Sequence, residues 1–198
     1  MIQEDDSYAI LRNLTSPIVA LTCAWQGKLN GMILNSAIRA SLIPSVPRVA
    51  VFVMKRNLSH DMIFQSGAFA LHLLHSDNWE LIWELGFHSG RERDKISPIS
   101  HTIGQSGPPL LDDCYARFDC RVINAMDTGA STCFLGEALS VERGQGDTLM
   151  TSSYFREHMP ADWHAVYQTN LAAAQEWAAG LVGDMHPLVW RGLPSGDR

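Results

Sequence analysis

The sequence predicts a mainly β (α+β) protein: an antiparallel barrel of about six strands, with peripheral helices and an added C-terminal helix. Short apolar or alternating segments follow one another with short turns between them, which is typical of antiparallel strands. Only a few segments have the helical period of apolar residues. Neither GxGxxG after the first strand nor GxxxxGK[ST] occurs, so the sequence supports neither a Rossmann fold nor a P-loop.

The first strands are predicted as a hairpin. The run PIVALTCAW (17–25) is apolar and β-branched, QGKLNG supplies turn residues, and MILNSA (32–37) resumes an extended pattern. Asn30-Gly31 is expected to serve the turn, which is the usual role of this dipeptide. VAVFVM (49–54) is apolar on both faces, so this strand should be covered from both sides.

A short helix should follow the third strand. Ser59 is expected to cap it, and Gly67 to close it just after Gln65. FALHLLH (69–75) then predicts a strand, and NWELIWELGF (78–87) predicts an amphipathic helix.

The later segments predict two long strands and one helix. YARFDCRVI (115–123) alternates between apolar and polar residues, and TCFLGEALSV (132–141) is extended, with Gly136 marking a bulge or a close backbone approach. Residues 161–182 are Ala-rich with an apolar stripe, which predicts an amphipathic helix. We therefore divide the chain into a barrel domain (1–160) and a C-terminal helical extension (161–198) that packs on the barrel or on a dimer partner.

Composition excludes several classes of protein. The chain has 198 residues, a formal charge of -6 and a pI near 5.7, and it lacks the basic stripe that a nucleic-acid surface needs. No apolar run is long enough to cross a bilayer and residues 1–6 are acidic, so we expect a cytoplasmic protein without a membrane segment. Its four cysteines (Cys23, Cys114, Cys120 and Cys133) lie in apolar segments without metal-ligand spacing, so we expect reduced core thiols and no metal.

Two stretches carry residues suited to ligand binding. Gly and small polar residues within residues 30–41 would let a flat ligand lie against the backbone of a strand. Lys55, Arg56 and Ser59 combine positive charge with a helix start, which favours an anion such as a phosphate. The alternatives are a plain hairpin turn for the first stretch, and solvated charges with a simple helix cap for the second.

In this order, the motifs resemble those of the flavin reductase-like family of FMN-binding split β-barrel proteins. Asn30-Gly31-Met32-Ile33 resembles its NGMT-like turn, residues 41–44 its S-x-x-P segment, and residues 55–59 its basic turn before a short helix. SGAFALHLL (66–74), Asp94-Lys95 and FLGEA (134–138) extend the resemblance, which runs from about Leu11 to Phe155.

The resemblance implies a homodimer in which each barrel holds one FMN, with FAD as the alternative, and uses NAD(P)H as co-substrate. It implies a flavin-dependent monooxygenase or another electron acceptor as partner. It also implies residues that contact the ring and residues that hold the phosphate. The ring contacts would be Gly31, Met32, Ile33, Leu34, Asn35 and Ser36, with Ser41 beside them, and the phosphate contacts Lys55, Arg56, Asn57 and Ser59, with Lys95 as an additional contact.

One position departs from the family pattern. Many members carry Gly-Asp-His just before the FLGE strand, whereas this chain has Gly129-Ala130-Ser131. A serine hydroxyl does not titrate near neutral pH. Two functions therefore stay open: a flavin reductase that uses NAD(P)H, and an FMN-binding protein for electron transfer, storage or sensing without nicotinamide activity. The histidines considered as substitutes are His72, His75, His88, His101, His158 and His164.

Overall fold

The computed structural model describes Leu14, residues 17–181 and residues 183–190. The strands are β1 (Val19–Trp25), β2 (Lys28–Leu34), β3 (Ala37–Arg39), β4 (Arg48–Met54), β5 (Ala68–Leu73), β6 (His101–Ile103), β7 (Pro109–Leu111), β8 (Ala116–Asp127) and β9 (Ser131–Arg143). The α-helices are α1 (Leu58–Ser66), α2 (Trp79–Phe87), α3 (Ser152–His158) and α4 (His164–Ala179), and a 3₁₀ turn (Ala161–Trp163) precedes α4. Val182, the predicted end of the C-terminal helix, lies outside the described residues.

The main sheet is a curled antiparallel half-barrel, which confirms the predicted fold class. Its seven strands run in the order β2-β1-β5-β8-β9-β4-β3, and β6 pairs with β7 separately. The extra strand arises because the segment predicted as one strand over 32–37 divides: β2 ends at Leu34 and β3 begins at Ala37. Since β2 and β3 lie at opposite edges of the sheet, Asn35 and Ser36 carry the chain across the split of the barrel.

Successive side chains of β1 point to opposite faces of the sheet and pack into two different hydrophobic cores. Leu21 and Cys23 point into the barrel interior, where they pack with Phe69, Phe134 and residues of α1. Ala20 points to the other face, onto a second core with residues of α2 and α3. Both faces of the central strands are therefore buried, and α1 and α2 flank the hairpin from opposite sides.

The ends of α1 agree with the sequence at one terminus only. Gly67 closes the helix in the left-handed conformation, with φ of 69°, as predicted. The predicted cap was wrong: the capping position is Asn57, without a side-chain cap hydrogen bond, and Ser59 lies inside the helix at 1% exposure.

The cysteines and one histidine are structural. All four thiols are free, and Cys23, Cys114 and Cys120 are buried while Cys133 is half-buried. Burial raises the pKa of Cys23 to about 12. His72 is also buried: its Nδ1 lies 3.3 Å from the Ala20 carbonyl oxygen, and its Nε2 accepts from the Leu111 N–H at 3.0 Å. Burial lowers the pKa of His72 to about 4, so its ring is neutral at ordinary pH.

Candidate functional site

Asn30 lies inside β2 and does not form the hairpin turn. The β1–β2 pairing sets Cys23 opposite Asn30 and Trp25 opposite Lys28, so the turn is at Gln26-Gly27 and the expected turn role of Asn30-Gly31 was wrong. The Asn30 side chain is 4% exposed, and its Nδ2 donates to Ser59 Oγ at 2.9 Å. Asn30 therefore fixes the start of α1 against the barrel wall.

Side chains of this chain pack directly against the Cα atom of Gly31, so there is no room for a larger residue at this position. A Cβ atom there would come within 2.9 Å of Ile96 Cδ1 and 3.0 Å of Leu85 Cδ2. The Gly31 carbonyl oxygen accepts from Lys95 Nζ at 2.6 Å. The space that a glycine leaves at this position is thus filled by side chains of this chain.

The rest of the predicted ring-contacting stretch divides between core and surface. Met32 and Leu34 pack against the barrel core, and Ile33 packs against the second core. Asn35 is exposed, and Ser36 is half-buried with its Oγ donating to the Phe52 carbonyl oxygen at 2.9 Å. Asn35 and Ser36 are therefore the polar side chains of this stretch that reach the surface near the end of β4.

Lys55, Arg56 and Asn57 form the connection between β4 and α1, which we call the cradle. Lys55 is held by its backbone N–H, which donates to the Ala130 carbonyl oxygen at 2.9 Å, and by an ion pair of 2.8 Å between its Nζ and Asp127. The hydrogen bond from Lys55 lowers the pKa of Asp127. The cradle thus presents two cations beside the N-terminus of α1, where the first N–H groups have no partner within the helix.

Ser59 and Lys95 lie behind the cradle and are already engaged. Ser59 accepts the hydrogen bond from Asn30 in the barrel wall. Lys95 is 3% exposed, and its ammonium donates to the carbonyl oxygens of Gly31 at 2.6 Å, Leu85 at 3.1 Å and His88 at 3.0 Å. An ammonium has three N–H donors, so this arrangement leaves none for a phosphate. Burial lowers the pKa of Lys95 to about 8.

Ser41 is separated from the cradle by the length of β4. It follows β3, and its Oγ accepts from the Ile43 N–H at 3.1 Å, near the start of β4. At about 3.3 Å per residue, the strand puts roughly 20 Å between the level of Arg48 and that of Lys55. Ser41 instead lines an apolar groove of about 560 Å³ together with Leu42, Pro44 and other residues.

Ser131 lies beside the cradle. It is the first residue of β9 and pairs with Met54, and the preceding residue, Ala130, accepts the Lys55 N–H. The position at which many family members carry histidine therefore adjoins the predicted phosphate contacts in space.

His60, which no sequence motif singled out, brings an imidazole to the first turn of α1. Its Nε2 lies 2.9 Å from Thr132 Oγ1 and its Nδ1 lies 3.2 Å from Asp61 Oδ1. The ring packs near Phe64 and Phe134. The signal available in the sequence was its position next to Ser59, at a helix start already considered as an anion site.

The described residues form neither a metal site nor a membrane-spanning helix. Within this part of the chain no group of three His, Cys, Asp or Glu side chains is arranged to hold a metal ion. Among the same residues, no helix has the length and apolar character needed to span a bilayer.

Comparison with known proteins gives both sequence and structural relatives. The chain is 31% identical over 122 residues to an FMN reductase (NADH) of Agrobacterium fabrum, which covers 62% of this chain and 67% of that protein. It is 28% identical over 149 residues to a high molecular weight rubredoxin of Moorella thermoacetica, which covers 74% of this chain but spans only 64% of the rubredoxin.

A solved structure supports the fold. The NADH:FAD oxidoreductase of Streptomyces globisporus superimposes with a TM-score of 0.63 at 23% identity, covering 72% of this chain and 86% of that one. A family model described as "Flavin reductase like domain" matches residues 11–161. Because this match extends over most of the sequence, the chain belongs to the flavin reductase like domain family.

Proposed function

We propose that the protein is an FMN-binding oxidoreductase that passes hydride from NADH or NADPH to bound flavin. The observation that carries the proposal is the cradle, where Lys55 and Arg56 lie beside the N-terminus of α1 in a chain of this family. The Agrobacterium relative, whose name gives an NADH-dependent FMN reductase, supports the same reaction class.

The residues of the cradle fit the phosphate of FMN. A phosphate carries negative charge and several acceptor oxygens, and it is bound well by lysine, arginine and the N–H groups at a helix start. Asn57 adds an amide at the same helix start. Ser59 and Lys95 would support the cradle from behind and would not bind the phosphate themselves, because both are buried and hydrogen-bonded to other groups of the chain.

The polar crossover between β2 and β3 fits the other end of the flavin. Ser36 is bonded to Phe52, which precedes Lys55 by three residues on the same strand, so Asn35 and Ser36 lie within reach of a ligand anchored at the cradle. Bound FMN would supply the electron-accepting ring. The residues of this chain would hold its phosphate, orient the ring and limit access of water.

A second function is favoured by Ser131. If reduced nicotinamide requires the family histidine, the protein would bind FMN for electron transfer, storage or sensing without NAD(P)H activity. Hydride transfer depends mainly on how the two rings are placed, so a serine at position 131 is chemically compatible with either function.

We further propose a homodimer that works in the cytoplasm and passes electrons to free flavin, to a flavin-dependent monooxygenase or to another acceptor. Exposed apolar side chains around the 560 Å³ groove support a dimer contact, since such patches mark protein interfaces. These side chains are Ile38, Leu42, Ile43 and Val141. Four free cysteines support a reducing compartment.

Titration of the purified protein with FMN tests the flavin site. We expect saturable binding at one FMN per chain, with the visible spectrum of protein-bound oxidised flavin. Saturation followed by calorimetry and by absorbance would support a flavin site in either function. A protein that binds neither FMN nor FAD would contradict both functions.

A further inference from the structure

The chain after α3 forms a strap across the cradle. We call residues 163–181 and 183–190 the C-terminal strap. At its start, Trp163 packs against Trp83 and Phe87, with ring centroids 4.8 and 5.1 Å apart. At its far end, Trp190 packs edge-on against Phe64 and Phe134, with centroid distances of 5.8 and 6.3 Å. The strap is thus anchored on α2 at its start and on α1 and β9 at its far end.

Between these anchors the strap contacts the first cation of the proposed phosphate site. The Ala173 carbonyl oxygen accepts from Arg56 Nη1 at 2.9 Å. The Arg56 guanidinium also lies 6.0 Å from the centroid of the Trp177 ring, at the limit of a cation–π contact. One turn of α4 therefore lies directly beside Arg56.

The strap also contacts the second cation through a carboxylate. The backbone N–H of His186 donates to Asp127 Oδ2 at 3.3 Å, and Asp127 Oδ1 is the atom paired with Lys55. Two separate parts of the strap thus converge on Lys55 and Arg56. No residue of α4 is buried, and Tyr167 packs at the edge of the second core, so the contacts with Arg56 and Asp127 and the aromatic anchors add to this packing in holding the strap.

We propose that the C-terminal strap closes the flavin site beyond the phosphate and thereby selects FMN over FAD. The inference rests on the proposed function. FMN ends at its phosphate, whereas in FAD the same phosphate continues into an adenosine monophosphate group. A phosphate held by Lys55 and Arg56 has Ala173 and Trp177 next to it, so the adenosine half has to displace the strap.

Specificity here is a difference of two affinities, and calorimetric titration of the full-length protein with FMN and with FAD measures it. We expect the wild-type protein to bind FMN at least about tenfold more tightly than FAD, a difference of about 1.4 kcal/mol. Trp177→Ala should tighten FAD binding and bring the two dissociation constants to within about threefold of each other, with FMN binding little changed.

Two further variants make the test specific. Ala173→Pro breaks α4 at the residue that contacts Arg56, and it should narrow the FMN/FAD ratio in the same direction. Val166→Ala alters a side chain of α4 that is 40% exposed and should leave the ratio unchanged. Circular dichroism checks that each variant is folded.

The outcomes separate the strap from the proposed function. Tight FMN binding with equally tight FAD binding in the wild-type protein would overturn the selection by the strap and leave the flavin site intact. An unchanged ratio in both Trp177→Ala and Ala173→Pro would overturn it as well. Binding of neither flavin would overturn the proposed function, and the inference with it.

Discussion

Replacing both Lys55 and Arg56 by alanine is expected to weaken FMN binding by roughly 30- to 1,000-fold, or about 2–4 kcal/mol, because two charge-assisted hydrogen bonds to the phosphate are lost. Both residues lie at the surface of the β4–α1 connection, with Arg56 exposed and the Lys55 side chain 29% exposed, so the fold should tolerate the change. Calorimetric titration with FMN measures the effect.

A matched variant separates the cradle from general charge. Arg121 is half-exposed on β8, and its guanidinium lies 3.6 Å from Glu137. It precedes Asp127, the partner of Lys55 on the same strand, by six residues, or roughly 20 Å along the strand. Arg121→Ala should therefore leave FMN affinity within about twofold of the wild-type value. Equal losses in Arg121→Ala and in the double variant, or no loss in the double variant, would show that the phosphate is bound elsewhere.

Replacing Lys95 by methionine is expected to lower the free energy of unfolding by roughly 2–4 kcal/mol. The variant keeps a long apolar stem but removes the three hydrogen bonds to Gly31, Leu85 and His88. Those carbonyl groups belong to β2 and to the end of α2, and they would lose a buried donor. Urea denaturation of both proteins measures the difference, and Lys28→Met, at an exposed lysine of β2, is the control.

The pH dependence of stability gives a second readout for Lys95. Burial holds its pKa in the folded protein at about 8, below the ordinary value of 10.5. Between these two values the unfolded chain binds more protons than the folded chain, so the contribution of Lys95 to the free energy of unfolding rises with pH in this window and is constant below it. The difference between wild type and Lys95→Met should therefore increase above pH 8. A difference that is independent of pH up to 10 would contradict the lowered pKa of Lys95 in the folded protein.

Local patterns were sufficient to predict the fold class and most elements. The apolar runs VAVFVM and FALHLLH correspond to β4 and β5, and the helical spacing in NWELIWELGF corresponds to α2. Gly67 was predictable as a helix end because a left-handed residue there strongly favours glycine. These features depend on neighbours within a few residues, which a single sequence displays.

The roles of Asn30, Ser59 and Lys95 depend on contacts between distant segments. Asn30 and Ser59 are 29 residues apart, and Lys95 and Gly31 are 64 apart, so no local pattern joins them. Asn-Gly indicated a turn and Ser59 a cap because those are the frequent local uses of these residues. In the folded protein a buried hydrogen bond between Asn30 and Ser59 replaces both uses.

The cradle itself was predictable, but its surroundings were not. The charges of Lys55 and Arg56 before a helix are visible in the sequence, whereas the pairing of Lys55 with Asp127 and the contact of Arg56 with Ala173 require the closed sheet and the returning strap. The C-terminal helix was predicted from its apolar stripe. Its position over the cradle was one of several surfaces on which it could have packed.

Anaerobic titration of the FMN-loaded protein with NADH, and separately with NADPH, tests the central claim most directly. Adding one of the two nicotinamides in stoichiometric amount should bleach the visible absorbance of the bound oxidised flavin. Flavin that stays oxidised with both nicotinamides, and is bleached by dithionite in the same cuvette, would contradict a nicotinamide-dependent reductase and leave an FMN-binding protein of another function.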